Sequence, residues 1–78
     1  MSQEALSKEI IEFVSEIAGV ENVTEESMLM DDLEMASIDI FTLLGEIEME
    51  YHIAIASKHL KEIETVGDLI KVVKALKE

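Results

Sequence analysis

The chain contains no cysteine, which excludes disulfides, thiolate metal sites and a cysteine nucleophile. It has no proline, and its aromatic residues are limited to Phe13, Phe41 and Tyr51, so the core must be mostly aliphatic. No segment approaches the roughly 20 apolar residues of a membrane span. The N-terminus also lacks a basic region followed by an apolar run, the pattern of a secretory signal. We therefore expect a cytoplasmic protein without membrane insertion.

Basic residues are absent between Lys8 and Lys58, whereas 13 carboxylates lie between Glu9 and Glu50. The formal net charge is −12, from 18 acidic and 6 basic residues. Such a charge repels nucleic acid and attracts proteins with Lys/Arg patches over a Debye length of about 10 Å. The composition predicts basic protein partners and no nucleic-acid binding, although the same acidity would also serve only to keep a small domain soluble.

The length of 78 residues predicts a single domain over residues 1–78. A domain of this size buries only about 60% of the surface that its unfolded chain exposes, which leaves little room for an enclosed active site. Catalysis by paired carboxylates requires burial that tunes their pKa values, and nothing in the sequence indicates such burial. The sequence therefore predicts that the chain is not an enzyme, and we expect a monomer.

The first part of the chain predicts one helix and one long loop. Apolar residues at steps of three and four predict a helix over residues 3–18, with Ser2 as its N-cap and Gly19 as its stop. Residues 19–36 lose this period and form a long acidic loop, with a short turn capped by Thr24. The apolar stripe of the helix contains Leu6, Ile10, Phe13, Val14 and Ile17.

The second part of the chain predicts three further helices. One covers about residues 38–51, a short one lies around residues 57–60, and the last opens with a capping box formed by Thr65 and Asp68. The fold class is therefore all-α: a small four-helix bundle with three longer helices, one short helix and a long acidic first loop. In the second helix we expect Ile40, Leu44, Ile47 and Tyr51 to be buried, with Phe41 and Leu43 on the flanks.

Ser37 lies where the acidic loop meets the second helix. A serine at a helix N-terminus is close to free backbone N–H groups and to the positive end of the helix dipole, which favour a bound or attached phosphate. Serine is also among the preferred N-cap residues, and most such serines only cap the helix. Position alone leaves both interpretations open.

The residues around Ser37 carry a resemblance. The order Asp32-Leu33, then Ser37-Ile38-Asp39 followed by a helix, resembles the Asp-Ser-Leu attachment segment of acyl carrier proteins. The resemblance runs without gaps over residues 31–73 and includes Glu48-Met49-Glu50-Tyr51 and Glu64-Thr65-Val66-Gly67-Asp68. Members of that family are four-helix bundles with a long acidic first loop and a modified serine at the start of the second helix.

The resemblance implies that a phosphopantetheinyl transferase attaches 4′-phosphopantetheine from coenzyme A to Ser37. The thiol of this arm would hold acyl groups as thioesters, while partner enzymes with basic patches perform acyl transfer or synthesis in fatty acid, lipid or polyketide assembly. The implied partner-binding residues are Asp39, Glu46, Glu48, Met49 and Glu50. The implied acyl groove contains Phe41, Leu44, Ile47, Ile63 and Leu69.

Several residues depart from the pattern of the family. Ala36 stands where the motif has an aspartate, and Glu34 and Met35 replace small residues. Thr42 and Met49 interrupt the acidic stripe of the second helix. We infer a specialised carrier with its own partners rather than the central fatty-acid carrier.

An alternative function is an acidic interaction module without an arm, in which Ser37 only caps the helix that docks on a basic partner. No metal site is expected, because His52 and His59 are seven residues apart and lack the helical spacing of a zinc pair. The acidic loop also lacks the alternating ligands and the central glycine of a calcium-binding loop.

Overall fold

A computed structural model describes residues 3–77 of the chain. The helices are α1 (Gln3–Ala18), α2 (Ser37–Tyr51), α3 (Ser57–Leu60) and α4 (Val66–Lys77). Within residues 3–77 the only β-type pairing is an isolated antiparallel bridge between Met28 and Thr65. The predicted all-α bundle with three longer helices and one short helix is confirmed. No helix in this part of the chain is long and apolar enough to cross a membrane.

The predicted bounds of α1 agree with the structure. Its predicted N-cap, Ser2, lies outside the described residues. The helix stops at Gly19, whose φ of 71° lies in the left-handed region that glycine adopts without strain. The N–H groups of Gly19 and Val20 both donate to the carbonyl of Ser15, at 2.9 and 3.2 Å, so the last turn is closed by backbone hydrogen bonds.

The core lies between α1, α2 and α4. Its largest fully buried side chains are all aliphatic, as expected for a chain so poor in aromatic residues. They are Ile10, Val14, Leu29, Leu43, Ile47, Val66, Leu69 and Val73. The predicted place of Leu43 on a flank of α2 is wrong, because its side chain is completely buried. Both α2 and α4 pack against α1, and Leu43 lies on the buried face of α2 with Leu44 and Ile47.

The long loop is anchored to the segment that leads into α4. Leu29 N–H donates to Glu64 O at 3.0 Å, and Val66 N–H donates to Ser27 O at 3.0 Å. Gly67 N–H donates to Glu25 O at 2.8 Å, and a Cβ on Gly67 would lie 3.1 Å from that same oxygen. Glycine thus permits a close backbone approach here. The anchored loop explains how an 18-residue connection, residues 19–36, is tolerated in so small a fold.

The capping box predicted for α4 is confirmed. Asp68 N–H donates to Thr65 Oγ1 at 3.1 Å, and Asp68 Oδ2 accepts from the N–H groups of Thr65 and Glu64, both at 3.1 Å. The hydrogen bonds from the Thr65 and Glu64 N–H groups lower the pKa of the Asp68 carboxyl, and the nearby Lys71 adds to this effect.

Tyr51 joins α2 to the two other long helices. Its hydroxyl donates to Glu9 Oε1 of α1 at 2.8 Å, and Lys77 Nζ of α4 lies 4.7 Å from the centre of its ring. Burial, followed by the hydrogen bond to Glu9 and the negative charges of Glu9 and Glu50, raises the pKa of the Tyr51 hydroxyl well above its usual value. The hydroxyl therefore remains a proton donor to Glu9.

Candidate functional site at the start of α2

Ser37 is the first residue of α2 and is exposed. The sequence placed the start of this helix at residue 38, one position later. Within residues 3–77 the Ser37 hydroxyl makes no hydrogen bond, so its oxygen is available to an approaching group. The only other exposed hydroxyl of the helix, on Thr42, donates to Ile38 O at 2.9 Å. Of these two exposed hydroxyl groups of α2, only that of Ser37 has no hydrogen-bond partner within residues 3–77 and can act as a nucleophile.

The helix is capped without Ser37. Ala36 occupies the N-cap position with an extended backbone and has no polar side chain to offer. Asp39 supplies the cap instead, because its Oδ2 accepts from Ala36 N–H at 3.0 Å. The interpretation of Ser37 as a mere capping residue is thus not supported by the geometry.

Unpaired backbone N–H groups lie at the N-terminus of α2, where Ser37 is the first residue. The first helical hydrogen bond runs from Ile40 N–H to Ala36 O at 3.1 Å. The N–H groups of Ser37 and Ile38 precede it and have no acceptor within the described part of the chain. Free N–H groups and the helix dipole stabilise a negative charge at this end of α2, which suits a phosphoester on the first helical residue.

The loop residues before Ser37 fix its position. Met35 is only 3% exposed, and its N–H donates to the carbonyl of the buried Leu29 at 3.1 Å. Leu33 is buried as well, so the loop packs onto the core just before α2. Glu34 adopts a φ of 53°, which is unfavourable for a residue with a side chain. The anchored loop therefore fixes the start of α2, and Ser37 with it, against the core.

An apolar depression of about 180 Å³ opens beside Ser37. One wall comes from α2, and the other comes from the loop and from the segment around α3. The residues that line it are Met30, Ser37, Ile40, Phe41, Leu60 and Ile63. An apolar group attached to Ser37 would find non-polar side chains within immediate reach.

The predicted groove residues fall into two groups. Phe41 and Ile63 line the depression, and Phe41 is 62% exposed rather than packed on a flank of the core. Leu44, Ile47 and Leu69 belong to the buried core and do not reach this surface. Sequence reasoning missed Met30, Ile40 and Leu60 as lining residues. Ile40 carried a signal, since it lies three positions after Ser37 on the same helix, whereas the loop residue Met30 carried none.

The predicted partner-binding residues also differ in their surroundings. Two of the carboxylates accept hydrogen bonds from backbone N–H groups. Asp39 caps α2, and Glu48 Oε2 accepts from Ile55 N–H at 2.7 Å. Glu46 and Glu50 are exposed, and Met49 is 79% exposed. Met35, in the loop before α2, is buried in the core instead. No cluster of three or more His, Asp or Glu residues within residues 3–77 is arranged to hold a metal ion.

Comparison with known proteins agrees with this geometry. The sequence matches the family described as phosphopantetheine attachment site over residues 8–73. It is 34% identical to an acyl carrier protein of Thermotoga maritima, with 92% of this chain and 91% of that protein covered. It is 29% identical to a meromycolate extension acyl carrier protein of Mycobacterium leprae, with 100% of this chain and 70% of that protein covered.

The three-dimensional fold is also similar to that of an acyl carrier protein. A crystal structure of an acyl carrier protein from Thermotoga maritima superimposes with a TM-score of 0.78 at 31% identity, covering 97% of this chain and 91% of that chain. The chain belongs to the acyl carrier protein family, and it carries acyl groups on covalently attached phosphopantetheine for acyl-transfer and synthase enzymes.

Proposed function

We propose that Ser37 Oγ is the attachment point of the phosphopantetheine arm. The observation that supports this most strongly is the exposed Ser37 hydroxyl, which has no partner within residues 3–77, at the open N-terminus of α2. A phosphopantetheinyl transferase would join this oxygen to the phosphorus that carries the pantetheine of coenzyme A. The diphosphate bond of coenzyme A would break, adenosine 3′,5′-bisphosphate would leave, and the hydroxyl proton would be lost. The terminal thiol of the arm supplies the thioester chemistry that a chain without cysteine lacks.

The residues around Ser37 fit such an arm at both of its ends. The free N–H groups of Ser37 and Ile38 favour the negative charge of a phosphodiester. The apolar depression lined by Phe41, Leu60 and Ile63 offers a non-polar surface to whatever the thiol holds. We propose this depression as the acyl groove. Leu44, Ile47 and Leu69 would contact an acyl chain only after the side chains of the core separate.

The partner-binding surface is proposed to lie along α2, the helix that begins at Ser37. Exposed Glu46, Met49 and Glu50 are available for contact, while Asp39 and Glu48 each use one carboxylate oxygen within the fold. Partner enzymes, including the transferase, would meet these carboxylates with Lys/Arg patches, because opposite charges steer association. The chain itself would catalyse no step. The net charge of −12 opposes self-association, so we propose a monomer.

The carrier is proposed to be specialised. Ala36 provides no charge beside Ser37, and Thr42 and Met49 leave gaps in the acidic surface of α2. A transferase that depends on a carboxylate before the serine would bind this chain weakly. If fatty-acid elongation enzymes load and extend it as readily as a housekeeping carrier, the proposed specialisation is wrong.

Intact mass spectrometry tests the attachment. We expect co-expression with a broad-specificity phosphopantetheinyl transferase to increase the mass of the chain by one phosphopantetheinyl group. Ser37→Ala should abolish the increase, and the matched control Ser7→Ala on α1 should retain it. A chain that stays unmodified with every transferase tried would favour the acidic interaction module instead. An increase that survives Ser37→Ala would place the arm elsewhere.

A further inference from the structure

The depression beside Ser37 is bounded on one side by the segment that contains α3. Leu60, the last residue of α3, and Ile63, three residues later, both line the depression and pack partly buried against the core. The helix α3 has only four residues, and a single helical turn is not stable without contacts from outside it. The groups that hold this turn therefore also hold one wall of the depression.

The start of α3 is held by a histidine. Ala56 is the N-cap residue and has no polar side chain. Its N–H group donates to Nδ1 of His59 at 3.1 Å, and the N–H group of His59 donates to the Ala56 carbonyl at 2.9 Å. The first of these bonds is one half of a capping box, with an imidazole in the position that glutamate or glutamine usually takes. One position earlier, Ile55 N–H donates to Glu48 Oε2 at 2.7 Å, which ties the entry of the turn to α2.

The hydrogen bond from Ala56 to His59 depends on the charge of the ring. Nδ1 accepts a hydrogen bond only in the neutral imidazole whose proton lies on Nε2, whereas both nitrogens of the charged ring are donors. Histidine side chains ordinarily change charge between about pH 5 and 8. A proton on Nδ1 would face the N–H group of Ala56, so an attractive contact would become a repulsive one.

Charges of both signs lie near His59. Lys71 of α4 and Glu62 border the same shallow cleft as His59, while Lys58 and Lys61 flank it along the chain. The lysines repel a proton on the ring, and Glu62 attracts it. Among the described side chains none forms an ion pair with His59, and the ring is only half-buried. Neither an ion pair nor full burial therefore prevents the ring from exchanging its proton with the solvent.

We propose that His59 is a pH-sensitive switch for the wall of the depression. The neutral ring caps α3 and holds Leu60 and Ile63 in place, and protonation of Nδ1 releases the turn from residue 56 to residue 60. The depression keeps its wall at neutral and alkaline pH and loses it in mildly acidic solution. This deepens the proposed function, on which it rests, because the depression is the proposed acyl groove: an acyl group is sheltered there only while His59 is neutral.

The only other histidine of the chain, His52, provides a matched comparison. It ends α2 with a φ of 57°, and its side chain is exposed. Within the described part of the chain its ring makes no hydrogen bond. Protonation of His52 therefore adds the same charge as protonation of His59 but removes no cap.

Nuclear magnetic resonance relaxation of the unmodified chain measures the release of α3. Backbone order parameters of residues 57–60 are compared at about pH 8 and about pH 5, the two ends of the range in which histidine titrates. His59→Gln keeps a side-chain acceptor that does not titrate, and His59→Ala removes the acceptor. His52→Gln is the matched control. The order parameters of α1 and α4 in the same spectra show whether the bundle remains folded.

The four proteins should differ in a defined way. Wild type and His52→Gln should have order parameters near about 0.85 at the higher pH, and these should fall below about 0.6 at the lower pH. His59→Gln should stay rigid at both pH values, because its amide remains an acceptor. His59→Ala should be flexible at both, because no acceptor is left for Ala56 N–H.

The proposal is overturned if the wild-type order parameters do not change with pH, or if His59→Ala is rigid at both pH values. It is also overturned if His59→Gln responds to pH as wild type does, because another group would then control the turn. Loss of order in α1 and α4 together with α3 would overturn it as well, since general acid unfolding would explain the release. Failure of the proposed attachment would appear separately, as a wild-type chain that gains no mass, and the relaxation measurement does not depend on that result.

Discussion

Removal of the Asp68 side chain should weaken the anchored start of α4. In Asp68→Ala the N–H groups of Glu64 and Thr65 lose their shared acceptor, and the negative charge at the helix N-terminus is lost as well. Loss of a cap costs about 1 kcal/mol, and loss of a favourable charge at the helix dipole costs about 0.3–1 kcal/mol. We expect a decrease of roughly 1–2 kcal/mol in the free energy of unfolding at neutral pH, or about 5–10 °C in melting temperature.

The size of this loss should depend on pH in a defined direction. Because the hydrogen bonds from Thr65 and Glu64 lower the pKa of Asp68 in the folded chain, its contribution is complete above the unfolded pKa of roughly 3.9. The contribution disappears as pH falls through the lower, folded value. The difference between wild type and Asp68→Ala should thus be constant from about pH 5 to 8 and shrink below about pH 4.

Urea unfolding followed by circular dichroism at several pH values provides the measurement. Only the difference between the two proteins is informative, because protonation of all 18 acidic residues also changes the self-repulsion of the whole chain. Glu12→Ala on the exposed side of α1 removes the same charge without a hydrogen bond and should not destabilise. A difference of less than about 0.3 kcal/mol at pH 7, or one that grows in acid, would refute the reasoning.

Three further outcomes are expected from the fold. Sodium chloride and, more strongly, magnesium chloride should raise the melting temperature because they screen a charge of −12, and melting curves that ignore salt would contradict this. Glu34→Gly should stabilise the chain by up to about 1 kcal/mol in urea unfolding, since Glu34 has a φ of 53°. The control Glu21→Gly, where φ is not in the left-handed region, should not stabilise. Tyr51→Phe should cost about 0.5–1.5 kcal/mol through the lost hydrogen bond to Glu9, and an unchanged urea midpoint would show that this bond contributes nothing.

Elements with a clear period and local caps could be predicted from the sequence. The bounds of α1 follow from its apolar spacing and from Gly19, and the start of α4 follows from Thr65 and Asp68, whose side chains bond only to neighbouring backbone. The position of Ser37 before an amphipathic helix made it a candidate, although position alone left simple capping equally open. Each of these signals acts over four residues or fewer, so it can be read without knowledge of the fold.

Features that depend on contacts distant in sequence could not be predicted in this way. Met35 is buried because the loop folds back on the core, and a loop has no period that would reveal which side chain points inward. Leu43 is spaced three and four residues from Ile40 and Ile47 and fits the same stripe, so its burial depends on where the centre of the buried face lies, which packing against α1 sets. Phe41, in contrast to Leu43, is exposed. This aromatic residue lines the surface depression beside Ser37 rather than the core.

Peptide mapping tests the central claim most directly, because it locates the arm at a single residue. Trypsin is unsuitable, since no basic residue lies between Lys8 and Lys58, but cleavage after glutamate releases residues 35–46, in which Ser37 is the only serine. Our account predicts that fragmentation of this peptide, from protein treated with the transferase, places one phosphopantetheinyl group on Ser37. An unmodified peptide, or a group on Thr42, would contradict it.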